Sequence, residues 1–337
     1  PCAHASRLPR PYSLPVGQRH APRRRPRIRG RTHALPGTER EVEVVGGVAI
    51  EKRHMIASMG KKVPILYFSG SGSTKMVAEV VAETLSGSEI EPVMMEVTQK
   101  LSADDVAPYD FFVVLTPTYN ARPSQLLLDF IDGLPLARYE KAAYVIATYG
   151  LYPINCQRIV GQRLLSRGIR PVGYGGVRGP ASDGSLLFPS WLSFMFSYEK
   201  HAPRKIRAMV EEIEALAQDW RSRPTTLPQF KWYAPLDFPV NTVFTRWYFR
   251  RFYRSNIRVL PDRWDGKPID DAYPEAWQKN GNGVPVYHPE SDHDFALRAV
   301  HRTPHKAVIF HDRMKDKPRL TPEFYAERKR EILGRMR

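Results

Sequence analysis

From residue 63 to residue 220 the sequence alternates short apolar segments with segments that carry apolar residues at helical spacing. The apolar segments are predicted as strands and span 63–68, 90–97, 110–119, 142–150 and 169–179. The predicted helices span 74–85, 123–134, 154–168 and 203–220. Strands that alternate with helices form a parallel sheet with helices on both faces. The sequence therefore predicts an α/β fold with a doubly wound, five-stranded parallel sheet, in which ligands bind where the strands end.

A loop of small residues, SGSGSTK, lies between the first predicted strand and the first predicted helix. Glycines and hydroxyl residues at a helix N-terminus are typical of phosphate binding. An ATP-binding P-loop needs G-x-x-x-x-G-K-[ST], and it is disfavoured because the hydroxyl residues here precede Lys75. A dinucleotide fingerprint is also disfavoured, since Lys75 stands where a third glycine or alanine is needed.

The loop remains suited to a terminal phosphate monoester, held without metal by hydroxyls, backbone N–H groups and the helix dipole. The candidate phosphate-binding residues are Ser69, Gly70, Ser71, Gly72, Ser73 and Thr74. The alternative is a serine- and glycine-rich turn that only caps the helix.

The S-x-S-G-x-T sequence of residues 69–74 resembles the FMN phosphate loop of flavodoxins, which is usually T/S-x-T-G-x-T. The resemblance covers residues 63–220 and implies a flavodoxin-like fold with FMN as cofactor. It also implies that the loops 117–123 and 148–156, after the third and fourth predicted strands, flank the flavin ring. The ring-binding candidates are Pro117, Thr118, Tyr119, Asn120, Thr148, Tyr149 and Gly150, with Tyr152 as a further wall residue.

The first two loop segments together are similar to flavodoxin domains that carry a C-terminal ferredoxin with two [4Fe–4S] clusters. Such clusters are held by cysteine thiolates in C-x₂-C-x₂-C-x₃-C-P segments. The C-terminal third has no cysteine, although 257–277 and 285–310 resemble the two cluster halves. The aligned ligand positions hold Arg263, Gly266, Ile269 and Tyr273 in the first half, and His293, Ala296, Ala299 and Thr303 in the second. The resemblance therefore implies a smaller, irregular, degenerate ferredoxin-like C-terminal region without clusters.

A module without clusters needs other groups to fill its core, and we expect aromatic side chains to do so. The candidates are Trp264, Tyr273, Trp277, Tyr287 and Phe295. The alternative is that 221–337 is an extended, partly irregular tail wrapped on the first domain. Five histidines between 288 and 311 could bind a metal with Asp292 and Asp294, but their spacing matches no closed site, so we expect surface histidines.

The net charge of +16 is unevenly distributed, because residues 1–54 carry twelve Lys and Arg and only four Glu. This Arg- and Pro-rich segment lacks hydrophobic periodicity, so we expect it to be disordered. It is a basic arm, a targeting peptide, or sequence upstream of a start at Met55 or Met59. The predicted domains are a basic tail at 1–58, a flavodoxin-like FMN-binding domain at 59–222 and a C-terminal extension at 223–337.

Cysteine content bears on location, because the chain has only Cys2 and Cys156. This excludes a disulfide framework and suits a reducing cytoplasm. The longest apolar stretch, LLFPSWLSFMF, is too short and too broken to span a bilayer. Aromatic residues mixed with arginines at 230–258 predict packing between domains, with weak contact to a membrane surface as an alternative and no nucleic acid as partner.

The pattern favours FMN-dependent electron transfer or flavin oxidoreductase activity without iron–sulfur clusters. The partner is then a redox protein or a small-molecule acceptor. A cofactor-free interaction or scaffold protein is the alternative, because the missing cysteines indicate lost electron transfer whereas the intact loop argues for a retained cofactor. A flavin reductase using NAD(P)H is a third hypothesis, although no second dinucleotide fingerprint is visible. Cys156 is either a redox thiol or a small core residue.

Overall fold

The sheet of the protein is formed by strands whose apolar side chains are buried on both faces. The computed structural model describes residues 61–189, 191–232, 247, 251–252, 256–288 and 296–336. Within these ranges the sheet strands are β1 (Lys61–Tyr67), β2 (Ile90–Glu96), β3 (Phe111–Tyr119), β4 (Arg122–Pro123), β5 (Lys141–Tyr149) and β6 (Ile169–Arg178). The predicted tail at 1–58 lies outside the described residues.

Strand order identifies the fold. The sheet runs β2-β1-β3-β5-β6, and these five strands are all parallel. The short β4 pairs antiparallel with the end of β3. Counting only the parallel strands, the order is 2-1-3-4-5, which is the flavodoxin-like doubly wound arrangement with its switch point between the first and third strands. The predicted fold class is confirmed.

Helices cover both faces of the sheet. In chain order they are α1 (Ser73–Leu85), α2 (Gln125–Gly133), α3 (Cys156–Ser166), α4 (Gly184–Leu187), α5 (Ala202–Asp219), α6 (Arg298–Arg302) and α7 (Pro322–Met336). Successive strand residues point to opposite faces. Ile65 accordingly belongs to a core formed with α1, α5 and α7, whereas Leu66 belongs to the core formed with α2 and α3.

One predicted boundary is wrong at the start of α2. The sequence pattern places a helix from residue 123, but Pro123 pairs with Thr118 in the β3–β4 hairpin. The helix begins only at Gln125, and the side chain of Ser124 caps it by accepting a bond from Leu127 N at 3.4 Å. The other predicted helices and strands of the sheet domain end within two residues of the observed bounds. Gly168 follows α3 with φ 68°, as expected of a helix-ending glycine.

The C-terminal region is irregular. It contains β7 (Arg258–Val259), β8 (Trp277–Lys279), β9 (Pro285–Tyr287) and β10 (Val308–Ile309). The first of these strands pairs with the last and the two middle ones pair with each other, all antiparallel. Short 3₁₀ turns occupy Pro274–Ala276, Pro304–Lys306 and Asp312–Met314, and two more lie earlier at Ala103–Asp105 and Ser193–Phe196.

Two kinds of packing hold this region to the sheet domain. Its own core includes Ile269, Tyr273 and Ala299, and Leu186 of α4 joins it. Helix α7 instead packs on α1 and α5, where Tyr325 and Ile332 enter the core on the first face of the sheet. The predicted boundary at residue 222 therefore separates elements that share one core.

Candidate functional site

A cavity of about 220 Å³ lies where β1, β3, β5 and β6 end. These strands are neighbours in the sheet, so the loops that follow them meet at one edge. Twelve of the thirteen predicted cofactor-binding residues line the cavity: Ser69, Gly70, Ser71, Ser73, Thr74, Pro117, Thr118, Tyr119, Asn120, Thr148, Tyr149 and Gly150. The remaining one, Gly72, does not line it. Sequence reasoning missed the fourth wall, which is formed by residues 180–184 after β6 together with Phe188 and Met195.

The loop at 69–74 presents free backbone donors at the start of α1. Lys75 N donates to Ser69 Oγ at 3.2 Å, and Met76 N donates to Gly72 O at 3.0 Å. The backbone N–H groups of residues 70–74 donate to no acceptor within the described part of the chain. A run of unpaired N–H groups at a helix N-terminus attracts an anion, because both the groups and the helix dipole are positive there.

Both glycines of this loop are required by close neighbours. A Cβ at Gly70 would lie 2.6 Å from the Cβ of Ala296 and nearer still to the hydroxyl of Tyr119. A Cβ at Gly72 would lie 2.6 Å from the ring of Tyr325, and its φ of 132° is itself unfavourable for other residues. Gly72 thus packs under Tyr325 of α7, which explains its position outside the cavity.

Two tyrosines outside the loop bond its hydroxyls. Tyr325 Oη lies 3.0 Å from Ser71 Oγ, and both residues are buried. Tyr198 Oη lies 2.9 Å from Ser73 Oγ and also donates to Ser73 O at 3.2 Å. Sequence reasoning missed both tyrosines, because they lie 254 and 125 residues away from the loop and no local pattern links them to it.

The second loop contains a strained hairpin turn. Asn120 and Ala121 connect β3 to β4 with φ values of 47° and 65°, the left-handed pair that a two-residue hairpin turn requires. Tyr119 packs edge-on against Phe68 at 6.4 Å, with its hydroxyl against Gly70. Thr118 Oγ1 is buried and makes no well-formed hydrogen bond among the described residues, although it lies beside the thiol of Cys156. A thiol is a weak hydrogen-bonding group, so a ligand in the cavity would give this hydroxyl a better partner.

The third loop joins the other walls. Thr148 Oγ1 lies 2.7 Å from Thr74 Oγ1, and a Cβ at Gly150 would lie 2.6 Å from the Cβ of Ala181 in the fourth wall. Tyr149 is half-buried, and burial raises the pKa of its hydroxyl. Leu151, Tyr152 and Phe188 rim the mouth and are 42%, 58% and 41% exposed. Ile154 has φ 41°, an unusual value for a β-branched residue.

The fourth wall carries the only acidic side chain of the cavity, and no Lys, Arg or His lines it among the described residues. This side chain is Asp183, whose carboxylate accepts a hydrogen bond from Gly184 N at 2.8 Å. The bond lowers the pKa of Asp183, but burial has the larger effect and raises it. The wall is anchored from behind by His301, whose Nε2 lies 2.8 Å from Ser182 O. Leu320 N donates to Nδ1 of the same ring at 3.2 Å, so the imidazole is neutral, and burial lowers its pKa to about 4.

Cys156 has the geometry of a core residue. Its thiol is fully buried and faces Pro117 O at 3.9 Å. Burial raises the pKa of the thiol to about 12, so the reactive thiolate is absent near neutral pH. This environment supports the core-residue alternative over the redox-thiol one.

An ion-pair network binds the C-terminal region to the loop. Arg298 pairs with Glu96 at the end of β2 and with Asp270, both at 2.8 Å. Its Nη1 also lies 3.4 Å from Ser69 O. Because the guanidinium is largely buried and faces two carboxylates, its charge is neutralised locally, and the loop depends on backbone dipoles for positive potential.

No group of three or more His, Cys, Asp or Glu side chains that could hold a metal occurs in the described ranges. His293, Asp292 and Asp294 of the histidine-rich segment lie outside them. Among the helices described, none is long and apolar enough to cross a membrane.

No protein-family model and no curated protein matches the chain. Solved structures do match part of it. The flavodoxin of Megasphaera elsdenii is 18% identical over 46% of this chain and 98% of its own, with a TM-score of 0.36. Flavodoxin 1 of Bacillus cereus is 18% identical over 47% of this chain and 99% of its own, with a TM-score of 0.35. Rubredoxin oxygen:oxidoreductase of Desulfovibrio gigas is 18% identical over 50% of this chain and 40% of its own, with a TM-score of 0.32. The strand order of the sheet identifies the flavodoxin-like fold by itself.

Proposed function

We propose that the chain binds FMN in the cavity at the ends of β1, β3, β5 and β6 and acts in electron transfer or as a flavin oxidoreductase. The observation that carries this proposal is the run of unpaired N–H groups at residues 70–74, all of which except Gly72 line a cavity with no basic side chain among its described lining residues. Such a site suits one phosphate monoester. A triphosphate with its magnesium ion ordinarily needs lysine and carboxylate partners that this wall lacks.

The residues fit the rest of the cofactor as well. Thr118 Oγ1 is a buried polar atom whose neighbour is the weakly hydrogen-bonding thiol of Cys156, and a polar ring edge in the cavity would supply a stronger partner. Tyr119 and Tyr149 stand in the second and third walls, where aromatic side chains can flank a planar ring. Bound FMN supplies the capacity to accept and release electrons, while the chain binds it, orients it and limits its contact with water.

Asp183 is the residue best placed to influence the redox equilibrium. An ionised carboxylate in the wall disfavours the addition of negative charge to the cavity, whereas a protonated one does not. Because burial raises its pKa, the protonated form is more populated than for an exposed aspartate. We expect Asp183 to make flavin reduction depend on pH.

The absorbance spectrum of the purified protein, recorded before and after FMN is added and the excess removed by desalting, tests the proposal. Retained flavin absorbance and quenched flavin fluorescence support it. A protein that stays colourless and leaves FMN fluorescence unchanged contradicts it.

The C-terminal region is proposed to lack iron–sulfur clusters and to retain a degenerate ferredoxin-like scaffold. Ile269, Tyr273 and Ala299, which occupy aligned ligand positions, lie in one apolar core, where Tyr287 is also buried and Trp264 and Trp277 pack on its surface. The pairing of β7 with β10 and β8 with β9 places the two aligned segments side by side. Iron content near zero supports this part of the proposal, and stoichiometric iron contradicts it.

One observation favours the second candidate, a cofactor-free interaction protein. The hydroxyls of Ser69, Ser71, Ser73 and Thr74 all have protein partners, so the loop is held in place without phosphate. A partner of either candidate is proposed to bind at the mouth rimmed by Leu151, Tyr152 and Phe188, where large apolar side chains are exposed. The redox partner and a cytoplasmic location remain predictions.

A further inference from the structure

We propose that Tyr325 of the C-terminal helix is a positioning residue of the phosphate subsite, holding Ser71 so that the serine O–H donates into the cavity. The inference rests on the proposed function, because it assigns a role toward the phosphate of FMN. It extends the site to a segment that follows the sheet domain in the sequence.

The direction of the hydrogen bond follows from counting protons. Tyr325 Oη lies 3.0 Å from Ser71 Oγ and has no other partner among the described residues. If Ser71 donated to it, the tyrosine proton would be left buried without an acceptor, which is unfavourable. Burial also raises the pKa of Tyr325, so its hydroxyl keeps its proton. Tyr325 therefore donates to Ser71, and the serine proton is left for an acceptor in the cavity that Ser71 lines.

The tyrosine ring is fixed in this position. It packs over Gly72, where a Cβ would lie 2.6 Å from it, and against Phe324 edge-on at 5.3 Å. One turn further along α7, Lys329 pairs with Glu79 at 3.3 Å and Glu83 at 2.5 Å, both on α1. Because α1 begins at the loop, these contacts hold Tyr325 and Ser71 in one rigid unit.

Tyr198 serves the loop differently. It approaches both Ser73 Oγ at 2.9 Å and Ser73 O at 3.2 Å. If its proton goes to the carbonyl, Ser73 donates its own proton back to Tyr198 and has none for a ligand. Of the two tyrosines, Tyr325 is the one whose bond leaves a serine donor available.

The test compares FMN with riboflavin, which lacks only the phosphate. Dissociation constants are measured by quenching of flavin fluorescence for the wild type, Tyr325→Phe, Ser71→Ala and the double variant. Tyr144→Phe is the matched control, because it also removes a tyrosine hydroxyl from the core. That hydroxyl bonds Glu212 at 2.7 Å, and Tyr144 does not line the cavity. Thermal melting verifies that each variant is folded.

We expect Tyr325→Phe to weaken FMN binding by about tenfold, because Ser71 loses the bond that aims its O–H at the charged phosphate, while riboflavin binding changes by less than about twofold. Ser71→Ala should do the same, and the double variant should lose no more than the larger single effect. The control should leave the ratio of the two affinities unchanged.

Several results overturn the inference. Equal effects on both flavins would show a general structural role, and tighter FMN binding in Tyr325→Phe would show that the tyrosine competes with phosphate. A wild type that binds neither flavin overturns the proposed function and this inference together. If the wild type prefers FMN over riboflavin but the variants do not show the expected loss, only this inference is overturned and the proposed function stands. If Tyr325→Phe does not fold, an unchanged FMN-to-riboflavin ratio in Ser71→Ala overturns the inference.

Discussion

The hydroxyl of Thr74 lies 2.7 Å from the hydroxyl of Thr148, and both side chains are buried at the edge of the cavity. The bond joins the first turn of α1 to the end of β5. Since β3 lies between β1 and β5 in the sheet, this contact links the ends of two strands that do not pair with each other. The pair therefore adds a direct side-chain link between two walls whose strands are already held in the sheet.

Replacing Thr148 with Val should lower the free energy of unfolding by about 1–2 kcal/mol, because the hydroxyl of Thr74 loses its buried partner. Urea denaturation without flavin measures the change. The variant that carries Val at both positions should be less destabilised than the sum of the single variants, since neither hydroxyl is then left unpaired. Additive effects would contradict a direct bond.

Protonation of His301 should destabilise the fold in acid. Its pKa is about 4 in the folded chain and 6.5 in the unfolded chain, so the unfolded state binds more protons between these values. The contribution of neutral His301 to the free energy of unfolding is complete above pH 6.5. It totals on the order of 3 kcal/mol and is lost as the pH falls toward 4.

The pH test must separate the effect of His301 from that of groups whose protonation stabilises the fold. Asp271, whose pKa is raised by burial to about 6, favours the fold more at low pH in the same window. The free energy of unfolding is therefore measured for the wild type and His301→Gln across pH 4–7.5 in urea. The gap between them should narrow as the pH falls, and a constant gap would refute the assignment.

Gly70→Ala should destabilise the protein by about 1–3 kcal/mol, because the added methyl overlaps Ala296 and the hydroxyl of Tyr119. Gly133→Ala is the matched control, since a Cβ at the end of α2 meets nothing within 4 Å. The control should change stability by no more than about 1 kcal/mol, in the stabilising direction expected for a helical glycine. Thermal and urea unfolding compare the two variants.

Ser71→Asp combined with Thr74→Asp should abolish FMN binding, because two carboxylates would face the phosphate at the helix N-terminus. A double variant of equal charge at the exposed residues Thr98 and Thr225 is the control and should bind FMN like the wild type. Flavin retention after desalting measures both. Retained FMN in the loop variant, with a normal melting temperature, would place the phosphate elsewhere.

Local patterns predicted the sheet and three of the four cavity walls. A strand, a glycine- and serine-rich loop and a helix follow one another in sequence, so their arrangement at residues 63–85 is readable from spacing. The ends of β3 and β5 follow from the parallel topology, because neighbouring parallel strands bring their carboxyl ends together.

The missed features depend on contacts between distant parts of the chain. Tyr325 meets Ser71 only because α7 returns to the sheet domain, and few residues of α7 are fully buried, which gives it a weak periodic signal. The β3–β4 hairpin was missed because the turn carries Asn-Ala in place of the Asn-Gly that marks such turns. The fourth wall follows a correctly predicted strand but has no phosphate- or ring-binding motif.

The contact between Gly70 and Ala296 also bears on how such a chain can diversify. A side chain at position 70 would overlap Ala296, so the loop keeps glycine there as long as Ala296 and Tyr119 hold their places. Two positions more than two hundred residues apart are therefore expected to vary together in related sequences, with small residues at both wherever the C-terminal segment is present. In chains that lack this segment, a side chain at position 70 would still overlap the hydroxyl of Tyr119, so a larger residue there would also require a change at position 119.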